Sequence, residues 1–145
     1  MTKDVLISIS GLQTEMFSMT NEEAIEVITP ANYFYKNGKH YILYDEVAEG
    51  ISGVTKNKIK ITGNEKIEIV KSGTSNTHME FERNKKNLTF YDTPFGQILL
   101  GIHTTDMRVS VEENDIAIEV EYGLDVNEEA FADCRIKMNI KGKNE

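Results

Sequence analysis

Apolar residues recur at every second position along this chain, in short runs that turn-forming residues interrupt, and this alternation constrains the fold more than any other feature. A period of two puts successive side chains on opposite faces of a β-strand, so each run reads as a strand with one greasy face. Segments 54–62 and 66–72 flank Gly63-Asn64, with Ile59, Ile61, Ile67 and Ile69 on one side and lysines on the other. The stretch 87–105 folds back through Thr93-Pro94-Phe95-Gly96. Proline presets the first corner and glycine supplies a left-handed residue, which reads as a three-residue loop with a bulge. That register sets Phe90 opposite Leu100 and Leu88 opposite Ile102, all four on the buried face. A two-residue loop would set Tyr91 opposite Ile98, so the apolar pattern favours the longer loop.

The remaining segments follow suit. Val5, Ile7 and Ile9 form a first strand, and 13–18 reads as a connection. Thr20-Asn21-Glu22-Glu23 resembles a helix capping box, but the β-branched run 24–30 favours a strand bent at Pro30. Asn37-Gly38 is a strong hairpin signal because both corners of a type I′ turn need positive φ. It joins 32–35 to the return strand 40–46, apolar or aromatic on both faces, and 47–53 is a glycine-punctuated loop. Segment 77–83 puts Met79 and Phe81 on one face. Met107, Val109 and Val111 meet Ile116, Ile118 and Val120 across Glu113-Asn114, and Tyr122 and Leu124 extend the second set. Residues 125–133 read as a polar connection with room for one helical turn, and 135–141 closes the chain.

One-sided strands joined by short antiparallel turns must cover a shared core. Without long crossovers the expected fold is all-β, an antiparallel up-and-down barrel of about 8–10 strands forming a single domain over 1–145. Closing the sheet also removes edges that invite aggregation. At 39% hydrophobic and 28% charged, the composition is that of a soluble globular protein. The densest apolar run, 98–102, falls far short of the roughly 20 residues of a membrane span. The first ten residues alternate too early for a signal peptide, and Cys134 is a lone cysteine. Both point to the cytoplasm. A net charge of −8 argues against nucleic acid. Residues 56–86 nevertheless hold eight basic and four acidic side chains, a local +4 that leaves −12 elsewhere. A solvated face explains this more simply than a docking surface does.

Four pieces stand out by their order and spacing: Tyr91-Asp92-Thr93-Pro94-Phe95-Gly96, the aromatic strand 41–46, Val70-Lys71-Ser72-Gly73, and Val120-Glu121-Tyr122-Gly123-Leu124. In these the chain resembles the YwiB-like family of small bacterial domains. In the third of these pieces the family pattern has arginine where Lys71 stands. The resemblance implies a lipocalin-like, calycin-type barrel and brings no established activity. Lipocalins carry a glycine-x-tryptophan signature, whereas this chain has no tryptophan, so the implied kinship is one of shape.

Enzymatic motifs are absent: no nucleophile elbow, phosphate loop, paired-cysteine zinc motif or His-Glu-x-x-His. The expectation is a non-enzyme with no catalytic residues, no cofactor and no metal, since His40, His78 and His103 lie on separate strands. Cys134 reads as a small buried hydrophobe. One cluster stands out. Pairing across Gly63-Asn64 puts Asn57 opposite Lys71, which then shares the apolar stripe of Ile67 and Ile69. If Ile42 meets Ile59, then Tyr44 meets Asn57 and Glu46 meets Thr55. Tyr44, Glu46, Thr55, Asn57 and Lys71 thus converge at one end of the barrel. They suggest a polar clamp for an amphipathic or anionic small molecule; a Glu46–Lys71 ion pair is the plainer alternative. The competing function is a protein–protein interaction module with a filled barrel. It would be homodimeric, using the aromatic hairpin of Tyr33, Phe34, Tyr35, Tyr41 and Tyr44 or the basic region.

Overall fold

The alternating segments are strands in the computed structural model, which describes residues 3–11, 26–46, 53–73, 76–93 and 96–142. They are β1 (Asp4–Ser10), β2 (Glu26–Lys36), β3 (Lys39–Glu46), β4 (Thr55–Thr62), β5 (Lys66–Ser72), β6 (Thr77–Glu82), β7 (Lys86–Thr93), β8 (Gly96–Glu112), β9 (Asp115–Val126) and β10 (Glu129–Gly142). Among the described residues there is no helix. All ten strands form one sheet in the order β6-β5-β4-β3-β2-β1-β10-β9-β8-β7. Strands consecutive in sequence lie antiparallel side by side, except β6 and β7, and β1 runs antiparallel to β10 from Val5↔Gly142 to Ser10↔Lys137. The two outermost strands, β6 and β7, also come together, which makes the molecule an up-and-down barrel that is closed but for one seam. The capping-box residues and the 13–18 connection lie outside the described residues, as does most of the 47–53 loop.

Inside the barrel the isoleucines of β1, β3, β4 and β5 pack with Met79 and Phe81 of β6 and Val120 and Tyr122 of β9. Phe81 meets Tyr122 edge-on, with ring centroids 5.0 Å apart. A bulge at Thr105 lets the long β8 contribute throughout. Ile102 and Thr104 point inward before it, Met107 after it, because the extra residue reverses the alternation.

No ladder joins β6 to β7; individual groups close the seam. Asn84 N–H donates to Thr104 O (2.9 Å) and Thr104 N–H to Lys85 O (3.1 Å). Asn87 Nδ2 reaches Glu80 O (3.2 Å), and the Arg83 guanidinium donates to the Met107 carbonyl. Beyond β7, the Val109 N–H on the free edge of β8 donates to Asn64 Oδ1 at 3.0 Å. These contacts satisfy main-chain groups that a complete ladder would otherwise take up.

Several expected registers hold. Asn37 and Gly38 both have positive φ, and Met107, Val109 and Val111 face Val120, Ile118 and Ile116. The run at 24–30 is strand from Glu26 onward and passes through Pro30. Two expectations fail. The hairpin at Thr93–Gly96 takes the two-residue loop, pairing Thr93 with Gly96, Tyr91 with Ile98 and Phe90 with Leu99. Leu88 and Phe90 are therefore on the outer surface, Phe90 at 58% exposure. Leu88 lies opposite Gly101, and its Cδ2 sits 3.4 Å from where a Cβ there would be. The loop length rather than the apolar pattern sets this register, and Leu88 stays 65% exposed. Residues 125–133 are likewise not a loop or helical turn. β9 runs into β10 through Asn127 and Glu128, both at positive φ, as a tight hairpin demands.

Candidate functional site

The ladders β3–β4 and β4–β5 bring the five polar candidates to one end of the barrel in the expected register. Tyr44 pairs with Asn57, Glu46 with Thr55, and Asn57 with Lys71. Lys71 alternates in phase with Ile67 and Ile69, so strand geometry drives its stem into the interior, where it is 3% exposed. Its ammonium donates to Glu46 Oε1 at 2.9 Å. Glu46 ends β3, and its side chain is 37% exposed. Asn57, at 2% exposure, donates through Nδ2 to the same Glu46 oxygen (3.3 Å) and to the Thr55 carbonyl (3.4 Å). Thr55 is buried beside them. Burial, and then the Glu46 charge, push the Tyr44 hydroxyl far above the usual phenol range. It stays a neutral donor at any physiological pH.

The way in is from the side. Tyr33 N–H donates to Lys3 O at 2.8 Å, which sets the phase of β2: odd residues donate toward β1 and even ones toward β3. Pro30 falls in the second set and has no N–H to give. The β2–β3 ladder accordingly stops at Asn32↔Leu43, and the two strands diverge beyond it. Between them opens a cleft of about 650 Å³ bounded by Pro30, Ala31, Asp45 and Lys56, with Tyr44 and Asn57 in its wall. Lys71 is one strand further along, behind Asn57. Among the described residues three buried side-chain polar atoms lack a hydrogen-bond partner, and two belong to this end: Asn57 Oδ1 and Thr77 Oγ1.

The family model for a domain of unknown function, DUF1934, matches residues 7–138. The chain belongs to this family. This DUF1934 domain is laid out as ten antiparallel strands. The chain is 27% identical over 109 residues to the uncharacterized beta-barrel protein YwiB of Bacillus subtilis (strain 168), covering 75% of each protein. Its fold matches the crystal structure of the ywiB protein from Bacillus subtilis with a TM-score of 0.77 at 17% identity, covering 98% of this chain and 93% of that one.

In this DUF1934 barrel two contributors escape the sequence reading. Thr77 pairs with Lys71 across β5–β6 and is buried. The phase of Met79 and Phe81 points to it, since it lies two residues before Met79. Pro30 acts by what it withholds, which only the direction of its neighbours' hydrogen bonds reveals. The three histidines do not converge. His40 lies beside Tyr33 (Tyr33 Oη to Nδ1, 2.7 Å), His78 is on the outer face of β6, and His103 is exposed on β8. His78 Nε2 does approach Glu68 (3.0 Å) and Glu80 (3.4 Å), a trio with the donor atoms to hold a cation. Lys60 and Lys66 also reach these carboxylates, which makes the group an outward-facing ion-pair network. Burial pushes the half-buried Cys134 thiol up, away from the reactive thiolate.

Proposed function

We propose that the domain is a non-enzymatic small-molecule binding barrel, loaded sideways between β2 and β3, with the ligand's polar end against Asn57 and Lys71. One observation carries this reading: a nearly inaccessible amide, Asn57, lines a roomy cleft while its Oδ1 lacks a donor. A buried polar group left without a partner costs about 1–3 kcal/mol, so its retention argues for a partner that comes and goes. Apolar side chains fill the middle of the barrel, so the ligand belongs at the Tyr44–Lys71 end, its apolar part toward Pro30 and Ala31. Native mass spectrometry of the protein purified from its own host tests this. A retained small mass that disappears in Asn57→Leu is expected; an empty protein would overturn the reading.

A second reading, a homodimeric interaction module in the cytoplasm, draws on the outer surface. Phe34 stacks on Tyr41 at 4.7 Å yet stays exposed, as do Tyr35 and, on β7, Phe90. The basic region supports it less. Lys56 pairs with Asp45, Lys60 and Lys66 with Glu68, and Lys86 with Asp125, which spends much of the local positive charge within the fold. Sedimentation equilibrium distinguishes the two: a dimer that Phe34→Ser converts to monomer favours the module.

A further inference from the structure

Building on the binding reading, we infer that the ligand is a small carboxylate with a hydroxyl or amino group on the adjacent carbon, and that Glu46 is its built-in stand-in. Glu46 Oε1 sits where two fixed donors converge, Lys71 Nζ at 2.9 Å and Asn57 Nδ2 at 3.3 Å. An ammonium and an amide N–H aimed at one point make a seat for a carboxylate oxygen. The donors are rigid, since Lys71 and Asn57 are buried and held opposite each other by the β4–β5 ladder. The acceptor is the loose member, because Glu46 ends its strand with its side chain partly in water.

Exchange of Glu46 for an external carboxylate keeps Lys71 paired throughout, so no unpaired charge is left in the interior. Glu46 then returns to solvent.

The second group follows from the orientation of the Asn57 amide. Nδ2 faces two acceptors, Glu46 Oε1 and Thr55 O, which fixes the flip and leaves Oδ1 as the unpartnered atom. Nitrogen and oxygen of one amide lie side by side. A ligand that takes the N–H through its carboxylate therefore meets the oxygen with a donor on the next carbon, as in a 2-hydroxy or 2-amino acid. Thr77 Oγ1, across from Lys71 and also unpartnered, can donate to the second carboxylate oxygen.

The test is chemical rescue. In Glu46→Ala, Lys71 loses its counterion, and thermal unfolding is followed in sodium chloride, propionate or lactate at equal ionic strength. Propionate should raise Tm above chloride, and lactate should do so at about tenfold lower concentration, the worth of one added hydrogen bond. Adding Lys71→Met should abolish both effects. If Glu46→Ala does not fold, Glu46→Gln, which keeps an acceptor for Lys71, takes its place in the same titration. Carboxylates indistinguishable from chloride would overturn the seat, and lactate equal to propionate would overturn the role of Asn57. A mass retained by the native protein that lacks a carboxylate would also overturn this inference, while leaving the small-molecule reading intact.

Discussion

Thr77 and Thr104 each bury a hydroxyl oxygen without a hydrogen-bond partner among the described residues, one beside Lys71 and one at the seam. Valine has the same shape without the hydroxyl, so Thr77→Val and Thr104→Val should each stabilise the empty protein by about 1 kcal/mol in urea unfolding. Only Thr77→Val should lower the mass retained in native spectrometry. That split separates a polar atom kept for a ligand from one kept by the fold. His40 offers a pH readout at the other end of the barrel. Burial holds its imidazole below the usual 6.5, and its Nδ1 shares a hydrogen bond with the Tyr33 hydroxyl. The unfolded chain therefore takes up the proton first as pH falls. The contribution is complete above about pH 6.5 and is lost as pH drops through the depressed folded value. Urea midpoints measured from pH 7.5 down to 5 should decline, and His40→Gln should remove that part of the slope. All five polar candidates were readable from sequence because strand phase alone fixes which residues face each other. The unpartnered state of Asn57 Oδ1 was not, since it depends on where every neighbouring donor points.

At the scale of elements, β2 and β3 are held apart by a single imino acid. Pro30→Val supplies an N–H directed at β3, and the ladder should then extend past Asn32↔Leu43 toward Asp45. Hydrogen exchange should show a newly protected amide at position 30, and the cleft, with any ligand it holds, should be lost. Turns were legible where two residues both announced positive φ, as at Asn37-Gly38. They were illegible at Asn127-Glu128, because glutamate rarely adopts that conformation and only the flanking ladder enforces it. The register of β7 is illegible in the sequence for a related reason. Leu88 and Phe90 look like core residues in a strand pattern, and nothing local shows that the loop closes with two residues rather than three.

For the whole molecule, barrel closure was legible from one-sided strands and short turns; the position of the seam was not. It depends on β7 pairing with only part of β8, which leaves β6 to be tied across by the Asn84, Asn87 and Arg83 contacts. Isolated bonds open more readily than a ladder. Amides of β6 and β7 that face each other should therefore exchange ahead of those in β1 and β10, by hydrogen–deuterium exchange mass spectrometry. The β1–β10 ladder has a further consequence, one of timing. Val5 waits for Gly142, almost the full length of the chain, before it gains that neighbour. During translation the first strand therefore leaves the ribosome with one flank bare. The cylinder cannot be sealed until β10 emerges, so this domain should fold slowly, with the bare flank of β1 open to wrong partners meanwhile.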